Sequence, residues 1–403
     1  MLNWANRFNI FCFFDNHDYS VRPQRYECLL AVGAKDQVSS KDIKDVDSFL
    51  ERNHGWKFGH LSYELKNSIH HFTSTKEDPI AFPYFFFFVP DFVLQLKGNE
   101  LTLSGKDADK IFNDIQNENN HTVSVNQIHI RQKLSKEEYI KKIAQLQQHI
   151  VRGDCYEINF CQEFFAEEVA LDAVDTFRKL VAISPNPFSA LYKLDDKYLI
   201  CASPERFLTR KGNKIFSQPM KGTIKRNLSD PREDEKLKRQ LKDSTKDRSE
   251  NVMVVDMVRN DLSKICEEAT VQVDELYGVY TFPQVHQMIS TISGGLRAGV
   301  SFSEIISATF PMGSMTGAPK HRVMELIDRY EVSTRGIFSG SVGYINPEGD
   351  FDLNVVIRSI MYNSSVNYLS YQVGSGITFY SDPEKEWEEC LLKAEAIKKV
   401  LTS

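Results

Sequence analysis

A helix with both of its ends marked in the sequence limits the folds open to this chain more than any other segment does. Ser135 and Glu138 form a capping box, and apolar residues then recur at helical spacing as far as Ile150. Gly153 supplies the stop that commonly ends a helix. The sequence therefore predicts a helix over 135–152.

Residues 156–164, directly after this helix, predict a strand. Apolar and polar side chains alternate there, as they do in a strand with one buried face. Glu157 and Asn159 would lie on the mixed face. Short apolar runs separated by turns earlier in the chain predict further strands, so we expect a protein of the α+β class.

The length and the turn content indicate how the chain is divided. At 403 residues it is long enough for two or three domains. The stretch 117–121 is the most polar and loop-like part of the first third, and it is the best candidate linker. We therefore expect an N-terminal α+β region at 1–130 that packs on a catalytic domain at 131–403.

The charge balance and the cysteines exclude several classes of protein. With 49 basic and 55 acidic residues, the formal net charge of −6 provides no basic field for nucleic acid or for an anionic membrane. The apolar run at 81–96 is shorter than the roughly 20 residues that a membrane-spanning helix needs. The seven scattered cysteines contain no Cys-x-x-Cys pair, which suits a reducing compartment, and we expect a cytoplasmic enzyme.

Two acidic helix beginnings are candidates for a metal site. Asp247 with Glu250, and Glu386 with Glu389, are each spaced to share one face of a helix, where like charges repel unless a helix N-terminus or a cation relieves them. Oxygen ligands of this charge suit Mg²⁺, which keeps several waters and shares a substrate oxyanion. Each pair alone is more often ordinary helix capping, and the sequence by itself does not bring the two pairs together.

Glu205 stands where a strand-like run, 199–202, reaches the segment 203–207. A carboxylic acid at such a strand end can keep its proton near neutral pH if it is partly desolvated, and can then act as a general acid. The plainer interpretation is a turn glutamate that pairs with Arg206, and without further context the plainer interpretation is preferred.

Glycine-rich segments offer backbone N–H groups that can bind carboxylates. They lie at 313–320, 340–344 and 374–378. The first is not a P-loop, because Ala318 and Pro319 separate its lysine from the second glycine. Arg358, predicted to end an apolar strand at 353–357, could add a bidentate clamp, although a solvated arginine at a strand end is the alternative.

Lys221 lies in the segment 218–223, where a strand-like run is predicted to reach a turn. An amine held there could act as a nucleophile. Most lysines are solvated charges on flexible stems, so the segment alone does not mark this one as reactive. The carboxylate-bearing segments elsewhere in the chain are what make it a candidate.

Taken in order, these segments resemble the chorismate-utilising enzyme family. The resemblance covers about 131–403 and, more weakly, 58–65. Its motifs are Gly153-Asp154-Cys155-Tyr156-Glu157-Ile158-Asn159, Ser203-Pro204-Glu205-Arg206, Lys221-Gly222-Thr223, Asp247-Arg248-Ser249-Glu250-Asn251, Val258-Arg259-Asn260-Asp261-Leu262, Gly317-Ala318-Pro319-Lys320, and Gly374-Ser375-Gly376 with the acidic helix behind it.

The resemblance implies a fold and a set of roles. The fold would be a large two-sheet sandwich flanked by helices, in α/β/β/α layers. Glu250 and Glu389 would bind Mg²⁺ directly, with Asp247 and Glu386 in supporting or water-mediated positions, and Glu205 would be the general acid/base. The groups that hold the chorismate carboxylates would be Thr223, Arg358 and the backbone at Gly222, Gly374 and Gly376.

Branches of this family differ at the residue before Gly-Thr. Lys221 matches the branch that aminates chorismate at C4 on the way to para-aminobenzoate and folate, whereas the anthranilate and isochorismate branches resemble Pro-x-Ala-Gly-Thr/Ser. Amination with retention cannot use one displacement by ammonia. A lysine that attacks C2 as the C4 hydroxyl leaves, and is expelled when ammonia attacks C4, divides the reaction into two steps.

Three positions depart from the family pattern. Glu157 matches the position at which the isochorismate and salicylate branch has a water-activating lysine, so a carboxylate here argues against that branch. The aminating branches more often have glutamine at this position, so the role of Glu157 is open. Gln287 replaces a histidine of many relatives. Phe338 replaces a tyrosine that contacts substrate in some anthranilate enzymes.

The source of ammonia and the rival functions complete the sequence-based hypothesis. No segment resembles the nucleophile elbow of a glutamine amidotransferase, so the resemblance implies that ammonia comes from a separate glutamine amidotransferase subunit. The nearest rival is an anthranilate-forming large subunit, and a rival of another class is a non-catalytic binding protein of the same fold. Intact lysine, glutamate and metal positions favour an enzyme.

Overall fold

Two antiparallel β-sheets form the centre of this computed structural model, which describes residues 1–19, 26–118 and 128–402. The strands are β1 Ile10–Asp15, β2 Cys28–Val32, β3 Asp36–Ser40, β4 Lys57–Leu61, β5 Phe85–Val89, β6 Phe92–Lys97, β7 Glu100–Ser104, β8 Arg131–Gln132, β9 Glu157–Ala166, β10 Phe188–Leu194, β11 Lys197–Ser203, β12 Arg206–Lys211, β13 Lys214–Gln218, β14 Met220–Lys225, β15 Gln272–Thr281, β16 Val285–Gly295, β17 Gly317–Ala318, β18 Ser341–Ile345, β19 Phe351–Asn354, β20 Ser359–Asn363 and β21 Tyr368–Ile377. The helices are α1 Leu2–Ala5, α2 Asp45–Arg52, α3 Leu65–His70, α4 Ala108–Gln116, α5 Lys136–Val151, α6 Ala173–Ile183, α7 Pro231–Asp243, α8 Thr245–Ser263, α9 Phe302–Thr309, α10 Lys320–Tyr330 and α11 Pro383–Thr402, with a 3-10 helix at Gly313–Met315.

The strand order mixes early and late parts of the chain. Sheet A runs β17-β9-β21-β20-β11-β10-β1-β2-β6-β7, with β8 on β9, and sheet B runs β14-β16-β13-β12-β19-β18-β4-β5-β3, with β15 on β16. Early strands pair directly with late ones, β1 with β10 and β4 with β18. The division at residue 130 stays a prediction, and the candidate linker 117–121 falls largely outside the described residues.

The sheets pack on one another and are covered by helices. Between them, a ring nitrogen of His60 lies 3.0 Å from the Tyr192 hydroxyl, and Phe14 stacks on Phe58 with ring centroids 6.3 Å apart. Helices α5, α6 and α11 contact one another or sheet A, while α7 and α8 contact sheet B, and α2 packs on β3 and α9. The predicted α+β sandwich in α/β/β/α layers is therefore confirmed.

The helix predicted over 135–152 is confirmed as α5, and its capping box forms in full. The Glu138 N–H donates to the Ser135 hydroxyl, and the Ser135 N–H donates to the Glu138 carboxylate. The prediction that the next strand has only one buried face is wrong, because all ten residues of β9 are buried. Neighbouring strands flank it, and its polar face is turned inward toward the site.

Two predictions about strands are wrong. Lys221 lies inside strand β14, which continues the direction of β13 along β16 after a break at Pro219. The strand before Arg358 ends at Asn354, so that 355–358 is irregular. Pro319 is the N-cap of α10 and not part of its first turn. The chain between 231 and 263 forms two helices, which meet at Ser244.

Membrane and disulfide features are simple. Among the residues described, none of the helices combines the length and the apolar composition that crossing a membrane would require. All seven cysteines are free thiols.

Candidate active site

Glu205 and Arg358 lie where the chain crosses from one sheet to the other. Glu205 sits between β11 of sheet A and β12 of sheet B, and Arg358 sits between β19 of sheet B and β20 of sheet A. The two crossings touch, because the Val355 N–H donates to the Glu205 carbonyl at 3.0 Å and the Ala202 N–H donates to the Arg358 carbonyl at 3.2 Å. The fold thus brings together Glu205 and Arg358, one acidic and one cationic residue, which are far apart in the sequence.

The carboxyl of Glu205 is buried, and burial raises its pKa to about 7. Hydrogen bonds from the Ser314 side chain and the Met220 backbone oppose this rise, as do the charges of Lys221 and Arg358. The plainer interpretation, in which Glu205 pairs with Arg206, is wrong. The Arg206 guanidinium donates to both carboxylate oxygens of Asp352 at 2.8 Å.

Arg358 is positioned to receive an anion. Its backbone is left-handed, with φ of 51°, which an arginine rarely adopts. Burial lowers the pKa of its guanidinium, and the charge of Glu205 acts in the opposite direction. Among the described residues, its guanidinium has no hydrogen bond and no ion pair closer than 4 Å, so its planar fork is available to a carboxylate.

Lys221 comes from sheet B and reaches a carboxylate of sheet A. Its ammonium, on β14, donates to Oε1 of Glu157, on β9, and both side chains are largely buried. A Cβ placed on Gly376 would lie 2.6 Å from each of these two atoms, so only a glycine at 376 leaves room for the pair. Burial alone would lower the pKa of Lys221, but the charges of Glu157, Glu250 and Glu389 together raise it above the ordinary lysine value.

The backbone of Lys221-Gly222-Thr223 is held from both sides. Gly222 has φ of +88°, and a Cβ there would come within 2.9 Å of Asp247. Gln287 fixes the other side, because its amide donates to the Gly222 carbonyl and its oxygen accepts the Thr223 hydroxyl, each at 2.8 Å. Gln287, one of the three departures from the family pattern, therefore provides an amide that holds the strand carrying Lys221.

Asp247 and Glu386 lie in the first turns of α8 and α11, Glu250 and Glu389 lie one turn further along, and the charges of the latter two both raise the pKa of Lys221. Burial raises the pKa of Glu250 to about 7, and one of its carboxylate oxygens is buried without a hydrogen bond. Lys393 holds the pKa of Glu389 below its usual value. Within the part of the chain described, no group of three or more His, Cys, Asp or Glu side chains is placed to hold a metal ion.

The residues nevertheless fit a hard divalent cation. Mg²⁺ is commonly held by one or two carboxylates together with water and substrate oxygens. The Glu250 oxygen that accepts no hydrogen bond and the carboxylate of Glu389 are donors of this kind. Asp247 lies beside Gly222 and Glu386 is buried at the start of α11, so the ligand set of four stays a prediction.

Two lysines in the site were missed by the sequence analysis. Lys246 lies 3.8 Å from Oε1 of Glu250, and Lys393 lies 2.8 Å from Oε1 of Glu389 and donates to the Gly374 carbonyl at 2.9 Å. Each is four residues from its glutamate on the same helix, a spacing that could have predicted both pairs.

The glycine-rich segment 340–344, a candidate for carboxylate binding in the sequence, has a packing role at Gly343. A Cβ on Gly343 would collide with the Asp352 carbonyl of the neighbouring strand.

Glu205 and Glu250 each make a contribution to the free energy of unfolding that decreases as pH rises from about 4.5 to about 7. Both carboxyls have folded-state pKa values of about 7 against 4.5 in the unfolded chain, so the folded protein binds more protons in this window and the free energy of unfolding decreases with pH. For Glu205 the effect amounts to roughly 3 kcal/mol. Because burial lowers the pKa of His60 to about 4 and its contribution has the opposite sign, the decline due to Glu205 is measured as a difference in thermal unfolding midpoint between the wild type and a variant, without divalent cations.

Glu205→Gln is the variant that checks this assignment. It removes one titrating group while keeping the shape of the side chain, so the decline of the midpoint with pH should become shallower. Glu388→Gln, at an exposed position of α11, is the control and should retain the wild-type decline. An equally steep decline in Glu205→Gln would show that Glu205 titrates normally.

Comparison with known proteins agrees with this geometry. A model of the family described as chorismate binding enzyme matches residues 14–399. The chain belongs to this family.

Curated relatives narrow the comparison. A probable chloroplastic aminodeoxychorismate synthase of Oryza sativa subsp. japonica is 42% identical over 71% of this chain, and aminodeoxychorismate synthase component 1 of Klebsiella aerogenes is 38% identical over 68%. The chain spans 32% and 60% of these two proteins, respectively. An anthranilate synthase component I-like protein of Synechocystis is 33% identical over 88% of this chain and 74% of its own length.

Solved structures share the fold. Anthranilate synthase component I from Streptococcus pneumoniae superimposes with a TM-score of 0.83 at 22% identity, over 95% of this chain and 94% of that one. MenF, the menaquinone-specific isochorismate synthase from Escherichia coli, has a TM-score of 0.80 at 19% identity, over 100% and 91%. At these identities the likeness concerns the fold alone.

Proposed function

We propose that this chain is an aminodeoxychorismate synthase component I, which aminates chorismate at C4 with ammonia to give 4-amino-4-deoxychorismate for para-aminobenzoate and folate synthesis. The single observation that carries the proposal is the buried amine of Lys221, which comes from one sheet and faces Glu157 and Gly376 of the other. The relatives from rice and Klebsiella, which bear this name, support it.

Lys221 is the proposed nucleophile. Its raised pKa means that it rests as an ammonium, so a proton has to leave before the nitrogen can attack. The Glu157 oxygen that accepts its hydrogen bond is the nearest acceptor for that proton. The neutral amine then forms a bond to C2 of chorismate while the bond between C4 and its hydroxyl breaks.

Glu205 is the proposed general acid and base. With a pKa of about 7, it holds a proton for part of its population at neutral pH and can give it to the departing C4 hydroxyl, which leaves as water. Ammonia next attacks C4 and the bond from C2 to Lys221 breaks. The carboxylate of Glu205 takes up the proton that the new C4 ammonium group loses, and Glu157 returns its proton to the released amine of Lys221, which restores the starting state.

The remaining residues would bind and orient the substrate. Arg358 would offer its guanidinium to one carboxylate of chorismate, and the Thr223 hydroxyl and the backbone at Gly222, Gly374 and Gly376 would help to hold the carboxylates. Glu250 and Glu389 would hold Mg²⁺, supported by Asp247 and Glu386. When bound, the ion would withdraw charge through the ring carboxylate of chorismate.

Ammonia is proposed to come from a separate glutamine amidotransferase subunit. The designation "component 1" of the Klebsiella relative supports a second component for that protein. Seven free cysteines support a reducing compartment, which we propose to be the cytoplasm.

The purified chain, incubated with chorismate, Mg²⁺ and ammonium, is expected to form 4-amino-4-deoxychorismate. The product is identified by its mass and by conversion to para-aminobenzoate with an added lyase. Fluorescent anthranilate in place of this product would assign the chain to the rival branch. No turnover of chorismate at all would favour a binding protein.

A further inference from the structure

A buried arginine outside the candidate active site hydrogen-bonds two segments that carry side chains of that site. Arg335 lies in the loop after α10, and its guanidinium donates to the Asn159 carbonyl on β9 at 2.8 Å and to the Met315 carbonyl of the 3-10 helix at 2.6 Å. Strand β9 carries Glu157, and the 3-10 helix carries Ser314. The two carbonyls are therefore held at a fixed separation by one rigid, planar cation.

Glu331 fixes the arginine in turn. Its carboxylate accepts from Nε and Nη2 of Arg335 at 2.9 and 2.6 Å, and one of its oxygens also accepts the Cys161 N–H of β9 at 2.8 Å. The guanidinium lies over the ring of Tyr63, 4.6 Å from its centroid. Glu331 and Arg335 are both buried, so neither side chain can turn away without leaving a buried charge unpaired.

The 3-10 helix is the part of this arrangement that reaches the reacting groups. The Asn159 amide donates to the Ser314 carbonyl at 2.8 Å, and Ser314 lines the same cavity as Glu205, whose pKa its side chain lowers. The Asn159 N–H also donates to the Thr316 carbonyl at 2.7 Å. Ser314 and Glu205 line one small, partly open cavity.

We propose that Arg335, oriented by Glu331, is a positioning residue that sets the 3-10 helix so that the Ser314 hydroxyl is presented to the carboxylate of Glu205. The inference rests on the proposed role of Glu205 as acid and base. A hydrogen bond from Ser314 stabilises the ionised carboxylate, so loss of the contact leaves Glu205 protonated up to a higher pH. Arg335 would thus act on proton transfer without touching the substrate.

Arg335→Lys tests the proposal in the full chain. Lysine keeps the charge but cannot bridge two carbonyls and a carboxylate with one planar fork. The pH dependence of kcat for amination is measured with ammonium as the amine source, at constant free ammonia. Because the reaction needs protonated Glu205, the decline at high pH should move upward by roughly one pH unit.

Three further variants keep the test decisive. Ser314→Ala should give the same upward shift, and combining it with Arg335→Lys should add nothing to it. If Arg335→Lys does not fold, Glu331→Gln, which keeps the shape of the side chain, should give a smaller shift in the same direction. Lys66→Met removes another ion pair, in which the fully buried Lys66 lies 2.9 Å from the partly exposed Asp328, and should lower the unfolding midpoint while the pH profile stays in place.

The outcomes separate this inference from the proposed function. A profile of Arg335→Lys or Glu331→Gln that coincides with the wild type, while that of Ser314→Ala shifts, would make Arg335 merely structural. Profiles that all coincide would show that Ser314 does not tune Glu205, and would also overturn the proposal. A wild-type chain that forms no 4-amino-4-deoxychorismate would overturn the proposed function itself.

Discussion

Replacement of Lys221 by alanine is expected to reduce the formation of 4-amino-4-deoxychorismate by at least roughly a thousandfold in kcat, or to divert the enzyme toward anthranilate-like chemistry. Without the amine, C4 can be aminated only by a direct displacement, which the two-step route exists to avoid. Single-turnover assays with chorismate and ammonium, with the products separated by mass, measure both outcomes.

Lys225→Ala is the matched control for this variant. Lys225 lies on the same strand, β14, but is exposed, so its removal should leave the turnover unchanged. Chorismate binding by Lys221→Ala should survive, because Arg358 and Thr223 are untouched. Full activity of Lys221→Ala would end the assignment of a nucleophile to this position.

Replacement of Glu389 by glutamine is expected to raise the Mg²⁺ concentration for half-maximal activity by roughly ten- to a hundredfold. The amide cannot supply a charged oxygen to the ion, and the loss of a carboxylate also frees Lys393 from its ion pair. Titration calorimetry of Mg²⁺ with the free protein provides a measurement that does not depend on turnover.

Glu388→Gln is the control for the metal site. This residue precedes Glu389 on α11, is exposed, and carries the same charge, so its loss changes the net charge of the protein by the same amount. We expect wild-type Mg²⁺ dependence in this variant. An unchanged Mg²⁺ requirement in Glu389→Gln would contradict the ligand assignment.

Features with local causes were predictable from the sequence. The capping box of α5 and the acidic first turns of α8 and α11 depend on residues within one turn of each other, so their patterns determine them directly. The apolar run at 81–96, which is too short for a membrane-spanning helix, forms β5 and most of β6 on either side of Pro90.

Contacts between distant segments were not predictable in this way. The partner of Arg206 is Asp352, which lies on the neighbouring strand, and only the register of β12 against β19 brings them together. Burial of β9 on both faces has the same origin, since alternation in a single strand cannot show that a second sheet covers its polar side. The pairing of Glu157 with Lys221 depends on how one sheet lies over the other.

The left-handed backbone of Arg358 illustrates a third limit. An apolar run before an arginine indicates a strand that continues to it, but the chain here has to leave sheet B and enter sheet A within four residues. The tight crossing requires a conformation that the residue types do not favour. Such positions are recognised from the geometry of the site, and not from propensity.

The placement of Lys221 on an edge strand of one sheet and of Glu157 and Gly376 on the other has a mechanical consequence. The distance between Lys221 and these two residues depends on the distance between the two sheets. Side chains packed between the sheets, such as Phe14, Phe58 and Tyr192, help to set that distance. Replacing one of these aromatic side chains by a smaller one would let the two sheets shift relative to each other, because packed interiors transmit strain. The position of the proposed nucleophile relative to the opposite sheet is therefore set in part by side chains that lie outside the site.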